Sequence, residues 1–364
     1  MKLVFIGGHH NSALALALAM KNEGHLIYWF GHKHTMKKEK SLSAEYLEVV
    51  KNKIPFFEIK TGKFYSNNNI LKYIKIFFGF IQSLFLLLKV RPNLIVSFGG
   101  YLSVPVVFAG FVLGIPGVSH EQTTQIGLAN KVISGLVKLI FITWKDSLAY
   151  FSPKKTQLVG LPLANNFFKI SKQNIFKNNL PTIFIVGGKQ GSQLINKTIE
   201  EIMPKLLISY NLIHQTGKFN NSDDFKRLSK KRDCLPIELK KRYIIKRYFY
   251  TNDMIKLLKS SNLVVSRAGA HIIYELCVLS KPAVLIPISW ASNNEQYKNA
   301  LMLKKQKMAK IILENELTGD RLFLEINDCI NNLKSLQKNA LKAKSLVKKD
   351  AVKKMVQILE KNFK

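Results

Sequence analysis

RAGAHIIYELCVLSKPAVLIPISWASNNEQYKNA, from Arg267 to Ala300, decides how the rest of the chain is read. Just upstream, the apolar run Leu263 to Val265 has the composition of a buried parallel strand, and Ser266 to Ala270 forms a turn in which Gly269 permits close backbone approach. A helix is expected from about His271 to Leu279, ending before Lys281-Pro282, followed by a short strand from Ala283 to Pro287. Strand, turn, helix, strand is a βαβ unit. In an open parallel sheet of such units, ligands bind beyond the carboxyl ends of the strands, where helix N-termini favour anions. Glu275 lies about one turn into the helix. A carboxylate there can reach back to accept hydrogen bonds from neighbouring sugar hydroxyls, or it can be a solvated helix carboxylate.

The same pattern extends to both sides. Thr182 to Val186 reads as a strand, Gly187-Gly188-Lys189-Gln190-Gly191-Ser192 as a Gly-rich loop, and a helix begins near Gln193. Backbone amides and the positive end of that helix can cradle a diphosphate, with Lys189 adding a formal charge; the competing reading is a plain tight turn. The loop lacks the Gly-Lys-Ser/Thr ending of a Walker motif and is no complete dinucleotide fingerprint. Leu212 to Gln215 is a further strand, Asn220 to Lys241 a polar run, and Tyr243 to Tyr250 a strand leading to a helix start at Thr251 with Asn252 or Asp253 available as cap. Beyond Ala300 a strand is expected at Ala309 to Leu313, then a long basic helical tail from about Asp320 to Lys364.

The first half repeats this architecture. Leu3 to Ile6 is a strand, Gly7-Gly8 a turn, Ser12 to Lys21 a helix ending at Gly24, and His25 to Phe30 a second strand. His9-His10-Asn11 falls where a ligand docks, and a histidine there can titrate near neutrality and act as a general base, or be a surface residue. Ile70 to Val90, ILKYIKIFFGFIQSLFLLLKV, is the most hydrophobic part of the chain, and its apolar run Ile76 to Leu88 is flanked by Lys72, Lys75, Lys89 and Arg91. This suits a helix at a membrane interface or one buried against the first sheet, and both hold if one face packs inward. Leu94 to Ser97 leads into Phe98-Gly99-Gly100-Tyr101, a helix follows from about Val104 to Leu113, and Gly117 to Ser119 leads to His120-Glu121-Gln122-Thr123. Polar side chains after a buried strand point to the sheet's carboxyl edge, although His120 and Glu121 can equally be a structural pair. Leu139 to Thr143 and Thr156 to Val159 close the first half, and Gly160 to Ala164 reads as a hinge.

A length of 364 residues exceeds one ordinary core, so two domains are expected, and a hydrophobic fraction of 47% excludes disorder over most of it. The net charge of +33 invites nucleic acid, an anionic membrane surface or phosphorylated substrates, and does not choose among them. Cys234, Cys277 and Cys329 match no zinc or disulfide spacing, which points to a reducing cytosol. MKLVFIGGHH turns at glycine before a signal-peptide core could form, and no run reaches the roughly 18 apolar residues of a spanning helix. No dedicated metal cluster or cofactor motif is visible.

Taken together and in order, SFGGYLSVP, GIPGVSHEQT, GGKQGSQLIN, HQTGK and RAGAHIIYELCVLSKPAVLIP with NNEQYKNA resemble the MurG family over nearly the whole length. Members of that family transfer N-acetylglucosamine from UDP-N-acetylglucosamine to undecaprenyl-diphosphate-linked N-acetylmuramyl-pentapeptide. The resemblance implies an α/β architecture of the GT-B kind, two Rossmann-like doubly wound domains facing a central cleft. It implies an acceptor-binding, membrane-associating domain over 1–164, a UDP-sugar-binding domain over 165–345, and a C-terminal helix over 346–364 returning to the first. By motif match Gly187, Gly188, Lys189, Gln190, Gly191 and Ser192 hold the donor diphosphate side. Thr251 faces the uracil, Glu275 binds the ribose, Ala270 and His271 line the phosphates and sugar, and Glu295 and Gln296 approach the sugar hydroxyls. Gly7, Gly8, His10, Gly99, Gly100, Tyr101 and the box His120, Glu121, Gln122, Thr123 belong to the acceptor side.

This chain departs from the family in places. GGHH stands where GGTGGH is usual; aligning the helix and Gly24 puts a three-residue deletion between Gly8 and His9, so His9 inherits the family histidine and His10 stays possible. Thr123 replaces Asn, Lys189 replaces Ser, Glu295 replaces Gln, and Ala164 stands where arginine is common. The implied mechanism is an inverting single displacement with His9 as general base and no cofactor. The implied location is the cytoplasmic face of the membrane, reached through Ile70 to Val90. A glycosyltransferase for diacylglycerol or another polyprenyl lipid is the nearest alternative. A basic nucleic-acid-binding protein is the non-enzyme one, although no recognised nucleic-acid motif is present.

Overall fold

Alternation along the first strand explains how the N-terminal half folds. In β1 (Lys2–Ile6), Leu3 and Phe5 face α1 (His10–Asn22) and α14 (Ala351–Phe363), while Val4 and Ile6 face α3 (Leu71–Val90) and α4 (Ser103–Val112). A strand buried on both faces reads as a continuous apolar run, and this one needs helices on both sides. The computed structural model describes residues 1–34, 42–62, 71–164, 166–188, 190–217, 223–291 and 294–364. They form two units, Met1–Asn165 with Lys348–Lys364, and Asn166–Val347.

In the first unit, β2 (Leu26–Gly31), α2 (Ala44–Lys51), β3 (Phe56–Glu58), β4 (Leu94–Ser97), β5 (Gly117–Glu121), α5 (Leu128–Ile133), β6 (Leu139–Ile142) and β7 (Thr156–Leu158) complete a seven-stranded parallel sheet of order β3-β2-β1-β4-β5-β6-β7. The order reverses at β1, which pairs with β2 on one side and β4 on the other. Met355, Val356 and Leu359 of α14 are buried with Leu3, Phe5 and the apolar face of α1. His25 Nε2 lies 3.0 Å from Glu360, fastening that helix at its far end.

The second unit runs β8 (Thr182–Val186), α6 (Gln193–Ser209), β9 (Asn211–Gln215), α7 (Asp224–Asp233), α8 (Ile237–Lys240), β10 (Tyr243–Lys246), α9 (Thr251–Ser260), β11 (Leu263–Ser266), α10 (Ala270–Leu279), β12 (Ala283–Leu285), α11 (Glu295–Lys305), β13 (Ala309–Ile311), α12 (Gly319–Asn331) and α13 (Leu333–Ala343). Its parallel sheet has the order β10-β9-β8-β11-β12-β13, reversing between β8 and β11.

Several expectations are corrected. The strand expected over Tyr243 to Tyr250 stops at Lys246, because Gln215 Oε1 captures the Phe249 amide at 2.8 Å and turns the chain inward. Thr251 does open a helix, but its N-cap is extended Tyr250 and no side-chain cap forms; Asn252 and Asp253 lie in the first turn. The polar run Asn220 to Lys241 contains α7 and α8, whose few apolar side chains, such as Leu228, were outnumbered by charges. The expected long helical tail is three helices. Asn332 leaves the helical region and turns its side chain back on Asp328, and a 3-10 turn at Lys344–Leu346 precedes α14. His120 and Glu121 belong to β5 itself and do not follow it.

Leu84, Leu87 and Val90 of α3 pack into the sheet, while Ile74, Phe77, Phe78, Ile81, Phe85 and Leu88 form an outward stripe with 45–66% of each side exposed. The expected packing against the first sheet is therefore present on one face, and the other face is apolar and exposed. Among the described residues no helix is long and apolar enough to cross a membrane.

Candidate functional site

Sheet order places ligand crevices at the reversal points, beyond the carboxyl ends of β1 and β4 in one unit and of β8 and β11 in the other. At the first crevice two glycine turns meet backbone to backbone. A Cβ on Gly8 would lie 2.1 Å from the Gly99 carbonyl oxygen, and one on Gly100 would lie 2.9 Å from the Gly8 Cα. Gly99 and Gly100 have φ of +73° and +78°, the left-handed region that favours glycine. Ser103 Oγ donates to the Gly99 carbonyl at 2.5 Å and Ser97 Oγ accepts from the Gly99 amide, so the turn has one shape. Gly7 is walled by the Trp29 ring and Glu45, the latter accepting from Trp29 Nε1 at 2.7 Å.

His9 is exposed on this edge as the N-cap residue of α1. His10, the first helical residue, is mostly buried with its Nε2 3.5 Å from Glu48 of α2. The two histidines thus differ in exposure, His10 lying against the Glu48 carboxylate and His9 standing at the edge of the sheet. Tyr101 lies against His32 with ring centroids 5.3 Å apart.

The box His120 to Thr123 is placed differently from the expectation of direct acceptor contact. His120 is 1% exposed, packed against Phe98, with Nε2 donating to the Gly160 carbonyl at 3.0 Å. Glu121 accepts from the amides of Gln122, Thr123 and Gly127 and from Asn130 Nδ2 at 2.9–3.2 Å. These two residues shape the 122–127 loop from beneath; burial, which the strand assignment ending at Ser119 concealed, is the reason. Gln122 and Thr123 are themselves buried, with the Gln122 and Thr123 carbonyls accepting from Trp144 Nε1 and Ser147 Oγ. Asn130, not singled out from sequence, ties the box to the glycine turn: its amide donates to the His120 carbonyl and lies 3.3 Å from where a Gly99 Cβ would be.

At the second crevice, Gly188 and Gly191 have φ of +93° and +82°. A Cβ on Gly187 would lie 2.5 Å from the Ser192 amide, and one on Gly191 only 1.9 Å from the Thr216 carbonyl. Ser192 caps α6 by accepting from the Ile195 amide. Gln190 sits between these glycines; Lys189 and the side chain of Thr251 lie outside what is described. Gln215 Nε2 donates to the Gly188 carbonyl at 3.0 Å, holding the loop from the next strand. The first turn of α10, starting at Ala270, has Gly269 as N-cap with no side-chain cap hydrogen bond, and a helix N-terminus of this kind favours an anion. His271 Nδ1 and Glu275 Oε1 face each other at 3.6 Å one turn apart on that helix. Glu295 opens α11, and Gln296 Oε1 accepts from the Ala268 and Ile288 amides at 3.2 Å, joining the loops after β11 and β12.

Sequence reasoning missed the frame behind these residues. Arg267 donates to Ser192 Oγ at 2.8 Å and the Ile286 carbonyl at 3.0 Å, and pairs with Glu314 at 2.7 Å. Burial pushes the Glu314 carboxyl up, but Ser289 hydrogen bonds and the Arg267 charge outweigh it and hold it below the usual range. Asn299, three residues after Gln296 on one helical face, donates to the Ala268 carbonyl; that spacing was the available signal. Among the described residues no group of three His, Cys, Asp or Glu is placed to hold a metal ion.

Comparison with known proteins follows this geometry. Residues 6–142 match the model of the glycosyltransferase family 28 N-terminal domain, and residues 182–355 that of its C-terminal domain. A UDP-N-acetylglucosamine--N-acetylmuramyl-(pentapeptide) pyrophosphoryl-undecaprenol N-acetylglucosamine transferase of Clostridium perfringens is 32% identical over 344 residues, covering 91% of this chain and 90% of that protein. Its namesake in Clostridium kluyveri is 29% identical, with 99% of each chain covered. Among solved structures, Acinetobacter baumannii MurG superposes with a TM-score of 0.72 at 22% identity, covering 99% of this chain and 100% of that one.

Proposed function

This chain belongs to glycosyltransferase family 28, among its UDP-N-acetylglucosamine--N-acetylmuramyl-(pentapeptide) pyrophosphoryl-undecaprenol N-acetylglucosamine transferases, and from that premise we propose how its own residues perform the reaction. The enzyme moves N-acetylglucosamine from UDP-N-acetylglucosamine to the lipid-linked muramyl-pentapeptide in peptidoglycan synthesis. His9 takes the proton of the acceptor C4 hydroxyl as that oxygen bonds to the anomeric carbon, while the bond from that carbon to the UDP oxygen breaks with inversion. Charge growing on the departing diphosphate is met by amides of the Gly187–Ser192 loop and the uncapped first turn of α10. Glu275 receives the ribose hydroxyls, with His271 beside it on the phosphate side. Gly7, Gly8, Gly99, Gly100 and Tyr101 form the acceptor surface, and the buried His120–Glu121 pair supports it through the 122–127 loop.

The exposed stripe of α3, continued by Phe108, Phe111 and Val112 of α4 and edged by exposed Lys75, Lys89 and Arg91, seats the protein on an anionic bilayer at the cytoplasmic face, where the lipid-linked acceptor resides.

The observation supporting the base assignment is the exposure of His9 at the sheet edge, next to the two glycine turns, whereas His10 is mostly buried. Transfer of radiolabelled N-acetylglucosamine to a short-chain lipid-linked muramyl-pentapeptide tests it. His9→Ala should lose about 100- to 10,000-fold in kcat with UDP affinity retained, the range of general-base catalysis. A variant that keeps wild-type kcat removes His9 from the mechanism.

A further inference from the structure

We propose that Asn196 and His214 are positioning residues for the donor diphosphate, setting the Gly187–Ser192 loop through the Thr216-Gly217 turn; this rests on the reading that the loop receives that diphosphate. The two segments touch backbone to backbone. A Cβ on Gly217 would lie 2.2 Å from both the Gln190 carbonyl oxygen and the Gly191 amide nitrogen, and one on Gly191 is blocked by Thr216 as described. No side chain lies between them to absorb a shift. Where the 216–217 turn sits, residues 190 and 191 must follow.

That turn is held by a buried relay. Asn196, fully buried on α6, donates from Nδ2 to the Thr216 carbonyl at 2.9 Å and to Asp224 Oδ2 at 2.8 Å. Thr216 O can only accept, so the amide nitrogen faces it and Asn196 Oδ1 faces His214 Nε2, 3.0 Å away. His214 therefore carries its proton on Nε2, and Nδ1 accepts from the Tyr243 hydroxyl at 2.9 Å. Burial lowers the His214 pKa to about 3, so the ring stays neutral and this tautomer persists across the working pH range. Asp224 continues the relay to Arg227, and Arg227 to Glu200 on the next turn of α6. The chain of donors links α6, β9, β10 and α7 to a single carbonyl beside the loop. Packing alone would be served by apolar side chains of equal volume without the desolvation cost.

The test uses the full chain, titrated with UDP and with uridine, and steady-state transfer kinetics. Asn196→Ala should raise the Kd for UDP and the donor KM about 10- to 100-fold, the scale of leaving buried hydrogen-bonding groups unpaired, with uridine affinity, acceptor KM and kcat at saturating donor within about threefold. Tyr243→Phe, which keeps the ring and removes one hydroxyl, should move the same quantities in the same direction by about 2- to 10-fold and covers the case in which the first variant does not fold. Unchanged UDP affinity in the folded variants, or equal losses for UDP and uridine, overturns the positioning role. Gly191→Val separates the two readings: it occupies the contact itself, so if UDP binding survives it, the diphosphate assignment of the loop falls; if UDP binding is lost there while the relay variants bind normally, the relay alone is refuted.

Discussion

Replacing Gly8 by alanine tests whether the contact between the two glycine turns of the first unit sets the catalytic geometry. The added methyl would stand 2.1 Å from the Gly99 oxygen, 2.4 Å from its carbonyl carbon and 2.8 Å from the Gly100 nitrogen. Carbon–heavy-atom contacts need more than 3 Å, so the turns must part by about 1 Å. The opposing atoms are backbone, pinned by Ser97 and Ser103 and already at positive φ, so they have no rotamer with which to yield. Overpacking of this kind costs about 1–3 kcal/mol. For a unit of this size that is a drop in Tm of about 2–12 °C. The functional loss should exceed what this implies, because His9 is the next residue and about 1 Å of misplacement costs on the order of 100-fold in rate. The assay is kcat at saturating donor and acceptor, with UDP affinity titrated separately and expected to hold, since the donor loops lie in the other unit. A variant with lowered Tm but undiminished kcat would refute the reasoning, showing that the contact stabilises the fold without placing the base.

Three further outcomes follow from the same geometry. Phe85→Ser, at a side chain 66% exposed, should weaken sedimentation with anionic vesicles by about 10- to 100-fold, given about 1.5–3 kcal/mol per buried aromatic side chain; unaltered partitioning would detach α3 from the membrane. Glu275→Ala should raise the donor KM by about 10- to 100-fold, the value of hydrogen bonds to a charged group, and should abolish discrimination between UDP and its 2′,3′-dideoxy analogue; preserved discrimination places the ribose elsewhere. His214 has a folded pKa near 3 against 6.5 unfolded, so the unfolded chain binds the extra proton first as pH falls. Its contribution is complete above pH 6.5 and is lost toward pH 3, at about 1.4 kcal/mol per pH unit within that window. Urea unfolding from pH 7 to 4 should show His214→Gln less acid-sensitive than wild type, and equal slopes would contradict the burial argument.

Much of the fold was legible because its signals are local. Apolar runs such as Thr182 to Val186 and Leu94 to Ser97 announced buried strands, and glycine pairs at their ends announced turns. Legibility failed where periodicity was masked by charge, as in α7, or where a long-range bond redirected the backbone, as when Gln215 ended β10. The breaks within the basic helical tail were not legible because helix-forming lysines and leucines continue past Asn332, and only the family resemblance set apart its last segment, which packs against α1.

The sequence by itself determined the alternation of strands and helices, the glycines at the strand ends and the family whose motifs they carry, since each is set by neighbours within a few residues. Tertiary structure alone decided the strand orders that bring Gly8 against Gly99 and Gly191 against Thr216. It also decided which polar residues face ligand and which are buried beneath. The sequence left His120 open between ligand and structural pair and placed His214 in a strand without a role; they become supports because both lie buried in interior strands of parallel sheets.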